Sequence, residues 1–279
     1  MKEQRLTLVA DSGSTKTDWA IAGHRLQTQG INPFHQDEDT IRGILRNELL
    51  PQLSSLLLPP SSLLRIIFYG SGVRPELEPV MTSLLREVFP DAEHIEAHSD
   101  LLGAARALCG NHEGIACILG TGANSCLYDG ERIVSNTPPM GYILGDEGSG
   151  AVLGARFLNA LYKQHLSNEL RVEFEAWAGM SLADVIGRVY RQPLANRWLA
   201  SLSPFIHDHL ADETLNELVV RNFRDFISRN VVPYRRQDLP LSAVGSIAYY
   251  YRDQLLLAAD AEGYTVGTIL RSPLDSLLW

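Results

Sequence analysis

Cysteine is scarce in this chain: Cys109, Cys117 and Cys126 are the 3 among 279 residues, and none forms a CxxC pair. That argues against a disulfide framework and against a cysteine-held zinc site, and fits a reducing setting. Positive charge is not in excess either. The 24 Lys and Arg face 33 Asp and Glu, a net charge of −9, so neither nucleic acid nor an anionic membrane is an expected partner. The one compact basic pair, Arg235-Arg236, reads as a solvated loop. No apolar run approaches the roughly 18 residues of a membrane span. The richest stretch, Leu56 to Tyr69, is broken by Pro59-Pro60 and Arg65. Met1-Lys2-Glu3-Gln4-Arg5 leads into a short strand and not into a signal peptide, so a cytoplasmic protein is expected. HExxH and GxSxG are both missing. His207 and His209, two apart in a helical stretch, point to different faces and are poor metal partners.

What is present is ordinary globular composition, 45% hydrophobic and 20% charged, in a chain long enough for one large domain or two of ordinary size. Leu6–Ala10 is a short apolar run ended by Asp11-Ser12-Gly13-Ser14, a strand followed by a tight turn, and Trp19–Ala22 is a returning strand. Helical spacing covers 41–58 with a break at Pro51, and again 75–89 with Pro at its start. Strands are expected at 65–69 and 94–97, and a helix at 100–108. A second unit opens in the same way. Ile115–Leu119 is a strand, Gly120-Thr121-Gly122-Ala123-Asn124 a glycine-bearing turn, and Ser125–Tyr128 a returning strand with Asp129-Gly130 as hairpin signal. A largely helical stretch, 150–230, has start signals at Ser181 and Asp212. After it come strand 241–244, helix 246–262, strand 265–270 and a closing helix 272–279. Two hairpins of one design suggest an internal duplication, with domains 1–108 and 109–279.

The octapeptide Asp11 to Asp18 carries the clearest chemistry. A nucleotide phosphate needs backbone N–H groups, small residues for close approach, hydroxyl donors and a carboxylate for Mg²⁺, and all are here. It is not a Walker A loop, because no glycine precedes Lys16 or opens the required spacing. A polar hairpin turn would explain the stretch equally well on its own. Gly120-Thr121-Gly122 repeats the pattern with Thr121 as hydroxyl donor, and two such loops, each opening a half, point to a phosphate clamp. Asp100 follows a strand and starts a helix, where ligands collect in α/β sheets, although a helix N-cap would use the same residue. The segment 141–150 holds four glycines and two acids, Asp146 and Glu147, and suits either a close ligand contact or a capped helix start. Tyr249-Tyr250-Tyr251 reads as packing.

Taken together and in order, ADSGSTKTDWAI, ILGTGANSC, GYILGDEGSGAVLG and AVGSIAYYY resemble the N-acetylglucosamine kinase family, within the BadF/BadG/BcrA/BcrD-type ATPases of the actin–hexokinase–Hsp70 superfamily. The likeness runs from Leu6 to about Tyr264. It implies an α/β fold of two ribonuclease H-like (actin/hexokinase-type) domains with a nucleotide cleft between them. It implies ATP and Mg²⁺ as cofactors and a small-molecule sugar as substrate, with a homodimer left open. Asp11 would hold Mg²⁺ through water, and Gly13, Ser14, Thr15 and Lys16 the β/γ-phosphates. Thr121 and Gly122 would close over the phosphates, and Gly245 and Ser246 would line the adenosine. Asp100 would be the general base, and Asp146 would bind sugar hydroxyls with Asn124 and Asn32. Ala123 and Met140 stand where the animal enzymes carry a serine and a tryptophan, which leaves the sugar open. The resemblance leads to phosphorylation of an amino sugar hydroxyl, first of all the 6-hydroxyl of N-acetylglucosamine. An ATPase activator of a dehydratase would need a cysteine-held iron–sulfur cluster, for which these cysteines are too sparse. A sugar sensor of the repressor type would place a helix-turn-helix ahead of the hairpin, which here begins within the first dozen residues.

Overall fold

The apolar runs pair into two sheets of one design in the computed structural model, which describes residues 6–13, 15–56 and 63–277. The first sheet holds β1 (Leu6–Ser12), β2 (Lys16–Ile21), β3 (His24–Gln29), β4 (Leu63–Gly70) and β5 (His94–Ser99). The second holds β6 (Gly114–Leu119), β7 (Ala123–Tyr128), β8 (Ile133–Ser135), β9 (Leu241–Val244) and β10 (Val266–Leu270). Their orders are β3-β2-β1-β4-β5 and, in matching sense, β8-β7-β6-β9-β10. In each, the first three strands form an antiparallel meander, and the last two add in parallel to the free side of the first. That is the ribonuclease H-like arrangement, and it repeats in both halves as the paired hairpins lead one to expect.

Contacts divide the chain into two compact units, one of residues Leu108–Ser272 and one of the preceding residues together with the segment from Pro273 onward. The closing segment therefore does not belong with the second unit, as a division at residue 109 would have it. Leu274 and Leu277 are buried against Val9, Ala20 and Tyr69, so the short helix Leu274–Leu277 covers one face of the first sheet. The opposite face carries Leu8, Ala10, Ile66 and Phe68, packed against Ile41, Leu45, Leu49, Met81 and Leu85 from two helical segments. Strands covered on both sides read as continuous apolar runs, and β1 and β4 do. The second unit buries one larger cluster, in which Phe157, Phe174, Phe205, Phe223 and Phe226 surround the β6–β9 face.

Helix ends differ from the sequence expectation where local chemistry intervenes. The segment from 41 is not an α-helix broken at Pro51. It is an α-helix Glu38–Ile44, a π-turn Leu45–Leu49 and an α-helix Leu50–Ser55, with Pro51 in its first turn. The widened turn spares the missing N–H of proline a lost partner. Expected helix beyond Leu56 lies outside the described residues. The next helix runs Glu78–Val88 with Pro79, and not Pro75, in its first turn. Between β2 and β3, Ala22 and Gly23 both have positive φ, 47° and 80°, which suits a two-residue hairpin turn. Ser181 forms a capping box with Asp184, and Asp212 accepts from the Leu215 amide, so both start signals in the helical stretch act as caps. Arg236 is tied to Asp238 and Glu113 at the surface, in keeping with a solvated loop. Among the described residues, no helix is long and apolar enough to cross a membrane.

Candidate functional site

In the first unit the residues picked from the sequence meet at the carboxyl ends of β1, β4 and β5. Asp11 pairs in register with Tyr69, which pairs with His98, and Asp100 stands just beyond β5. Open α/β sheets bind ligands at this end. The turn after β1 is closed by the Gly13 amide donating to the Lys16 carbonyl at 3.0 Å. Gly13, Thr15 and Lys16 are exposed there, while Ser14 lies outside the described residues. Lys16 rests on Asp18 at 2.7 Å and remains largely in solvent, so it is free to be drawn to an anion. Below the turn, the buried hydroxyls of Ser12 and Thr17 are 2.6 Å apart, and both accept from the Ile31 amide. This polar knot fixes the hairpin to the segment carrying Asn32. Asn32 is buried, its Oδ1 accepts from the Phe34 amide at 3.0 Å, and it fills the space where a side chain at Gly72 would stand.

Asp100 is not the N-cap of its helix, Asp100–Cys109. Ser99 Oγ accepts from the Leu102 amide at 3.3 Å and supplies the cap, while one Asp100 oxygen accepts from the Leu101 amide at 2.8 Å. The electrostatics set this carboxylate apart from the solvated acids. Burial pushes Asp100 up to about 6, against the lowering effect of its backbone hydrogen bonds. Asp11 is pushed up to about 7, first by burial and then by the neighbouring charges of Asp100 and Asp18, with Lys16 and Arg25 opposing. Two carboxylates that resist joint ionisation beside an exposed lysine form a site lacking positive charge.

The second unit gathers different material at the equivalent strand ends. The Gly120 amide donates to the Gly122 carbonyl at 3.0 Å, and the carbonyls of Gly120 and Thr121 accept from the amides of Gly150 and Ala151. The turn is thereby tied to the start of the helix Gly150–Tyr162, capped by Ser149. Gly245 follows β9 with φ 122°, and a Cβ there would stand 2.3 Å from the Leu119 carbonyl oxygen. Only glycine lets the β9 end lie this close to the β6 end, with Ser246 exposed beside it. Asp146 has φ 54° and a half-buried carboxylate that accepts from the amides of Ala123 and Gly141. Burial and, less strongly, Glu147 raise it to about 6 despite those bonds. It lies so close to Gly122 that an added Cβ would be 3.0 Å from Oδ2. Asn124 Oδ1 accepts from the Ser125 amide and from Asn136 Nδ2, each at 2.9 Å.

Several supporting residues escaped the sequence reading. Glu147 accepts from Arg229 at 3.1 Å and Asn230 Nδ2 at 3.3 Å, both on the π-turn Ile227–Val231. The Asn230 carbonyl in turn accepts from Ser125 Oγ and Thr137 Oγ1. This network buttresses the loops bearing Asn124 and Asp146. Its one sequence signal was the second acid of Asp146-Glu147; partners some 80 residues away have none.

Charge balance and donor type decide whether Mg·ATP suits these residues. Asp11 is raised first by burial and then by two acidic neighbours, a place where a divalent cation relieves repulsion. Among the described residues no group of three or more His, Cys, Asp or Glu side chains could hold a metal alone. Mg²⁺ at phosphate sites takes one or two carboxylates and leaves the rest to water and phosphate, so the donor set fits. The thiols do not suit a cluster. Cys117 and Cys126 are buried within β6 and β7, and burial raises all three thiols, Cys109 to about 11 and Cys126 to about 12. Tyr251 is buried with its hydroxyl on the Ser203 carbonyl at 2.6 Å, which is packing, while Tyr249 and Tyr250 are exposed.

No protein-family model matches the chain, and no curated protein sequence does. Solved structures do. A provisionally assigned N-acetylglucosamine kinase from Porphyromonas gingivalis is 48% identical over 97% of this chain and 96% of its own, with a TM-score of 0.94. A second protein so assigned, from Chromobacterium violaceum, shares 18% identity over 99% of both chains at a TM-score of 0.72. The ethanolamine utilization protein EutJ of Carboxydothermus hydrogenoformans shares 14% over 97% of this chain and 87% of its own, at 0.54. These last two bear on the fold alone.

Proposed function

We propose, since the chain belongs to the N-acetylglucosamine kinase family, that it transfers the γ-phosphate of ATP to a hydroxyl of an amino sugar, with the 6-hydroxyl of N-acetylglucosamine as first candidate. The observation that carries this reading is Asp100. It lies at a strand end, is relieved of capping by Ser99, and feels enough burial to be poised near 6. A base so poised is mostly ionised at neutral pH and still basic enough to take a proton from a hydroxyl oriented for transfer.

The remaining groups divide by chemistry. The backbone amides of the turn after β1, the hydroxyl of Thr15 and the ammonium of Lys16 bind phosphate oxygens, as do Thr121 and Gly122. Asp11 would hold Mg²⁺ through water, and the ion, when bound, would neutralise phosphate charge. Gly245 and Ser246 present backbone and a hydroxyl to the nucleoside. Asp146, held by two amides and lying against Gly122, accepts from sugar hydroxyls, as do Asn124 and Asn32. Phosphoryl transfer needs mainly positioning and charge stabilisation, which these groups supply. Its ATP supply puts such an enzyme in the cytoplasm.

A coupled ADP-release assay over N-acetylglucosamine, glucosamine, N-acetylmuramic acid, N-acetylmannosamine and glucose tests the reading. The highest kcat/KM is expected for N-acetylglucosamine. Preference for another amino sugar would reassign the acceptor, and turnover of none would sink the kinase reading.

A further inference from the structure

The helix that begins at Asp100 lies on the first sheet at one point of unusually close approach. Gly103, one turn into that helix, faces the Tyr69 side chain on β4. A Cβ added at Gly103 would be 2.6 Å from Tyr69 Cγ and 2.9 Å from its Cβ and Cδ1. The Tyr69 Cβ is fixed by the β4 backbone, so no rotamer of the tyrosine removes that contact. One turn further on, Arg106 Nη1 donates to the Tyr69 hydroxyl at 2.9 Å. The helix therefore meets one tyrosine twice, at its ring root through Gly103 and at its hydroxyl through Arg106. Tyr69 is also the residue paired in register with Asp11 on β1. Asp11 and Tyr69, as paired residues of parallel strands, present their side chains to the same face of the sheet.

We infer that Tyr69 and Gly103 are positioning residues for phosphoryl transfer: the tyrosine is the spacer that sets how deep the Asp100 helix sits, and so fixes the general base relative to the phosphate turn that follows Asp11. The inference rests on the reading of Asp100 as base. Its physical content is a distance. Carbon atoms at rest are about 3.5–4.0 Å apart, so an alanine at 103 must lift the helix by about 1 Å. A displacement of that size at a reacting group costs on the order of 10²-fold in rate. The turn after β1 is held by its own polar knot of Ser12, Thr17 and Ile31, and so keeps its place. The expected signature is thus a lower kcat with ATP binding intact. A general loss of folding would instead reduce the amount of nucleotide bound.

The test is steady-state kinetics on wild type, Gly103→Ala and Tyr69→Phe with the best acceptor sugar. Calorimetric titration of each with a non-hydrolysable ATP analogue runs alongside. Gly103→Ala should lose about 10- to 100-fold in kcat. Its KM for ATP and its binding stoichiometry should stay as in wild type. Tyr69→Phe keeps the ring and removes only the Arg106 tether, so a smaller fall in kcat with the same intact nucleotide binding is expected. An unchanged kcat in Gly103→Ala, or a loss matched by lower stoichiometry, overturns the inference. Should Gly103→Ala fail to fold, Tyr69→Phe decides on the same criteria. A wild-type chain that phosphorylates none of the sugars overturns the kinase reading and this inference with it; an active wild type beside an unaffected Gly103→Ala overturns the inference alone.

Discussion

The two sheets share strand order, strand direction and a glycine-bearing turn after the first strand, yet their carboxyl ends carry different chemistry. The first ends in side-chain charge: Asp11, Lys16 and Asp18 around one turn, and Asp100 close enough to raise Asp11. The second ends mainly in bare backbone. Gly122 and Gly245 let protein atoms come where a Cβ would intrude, and Asp146 is held by amides against the first of them. A duplicated scaffold has thus been left with electrostatics in one copy and close approach in the other. The lesson is that strand order sets where a site can form, while residue size and charge at the strand ends decide what each copy contributes.

The largest expected effect tests the electrostatic half. Asp100→Asn should lower kcat by about 10²–10⁴ with a modest change in KM, as for loss of a positioned base. Steady-state kinetics measures both, and a near-normal kcat would reduce Asp100 to a helix-start residue. The close-approach half should fail differently. Gly245→Ala places a Cβ against the Leu119 carbonyl at a φ that alanine resists, and should cost about 1–3 kcal/mol of stability. Its KM for ATP should rise as well. Urea unfolding and nucleotide titration would show whether both losses occur together, as one backbone contact requires.

Asp146 is the charged exception in the second unit and so sharpens the contrast. Asp146→Asn should raise the sugar KM about tenfold or more, the worth of a hydrogen bond to a charged group, with kcat less affected. The reverse pattern would make Asp146 the base instead. A smaller effect follows from pH. With Asp100 raised to about 6, kcat should decline as pH falls below that value. Stability should move the opposite way. A carboxylate whose folded pKa exceeds its unfolded value of 3.8 binds more protons in the native state, so its contribution to stability is lost as pH rises through about 6. Melting curves should therefore show Asp100→Asn gaining on wild type between about pH 4 and pH 6, the span between the unfolded value of 3.8 and the folded value of about 6. At the small end, Arg25→Ala breaks an exposed ion pair with Asp275 and should change stability by less than about 1 kcal/mol.

Much of this is legible in the sequence. Hydrophobic runs ending in Asp11-Ser12-Gly13 and Gly120-Thr121-Gly122 announced two hairpins, because short apolar runs and turn chemistry are local properties. Ser181 and Asp212 announced helix starts for the same reason. The four motifs in order carried the family. Other features involve partners far apart in the chain, and no local pattern encodes them. The return of Leu274 and Leu277 to the first sheet depends on an open apolar patch at Val9, Ala20 and Tyr69. The π-turn ahead of Pro51 depends on how a whole helix absorbs one missing amide.

The sequence by itself determined which residue types were available at the strand ends: acids and a lysine in one half, glycines in the other. It did so because size and charge belong to each residue alone: glycine lets backbone approach closely, and a carboxylate or an ammonium brings its charge wherever it is placed. Only the tertiary structure decided what those residues became. It took capping from Asp100 and gave it to Ser99, raised Asp100 and Asp11 by burying them near each other, and set Gly103 against Tyr69. Burial and distance are properties of packed surfaces, and they come into being only when strands and helices from separate parts of the chain close on one another.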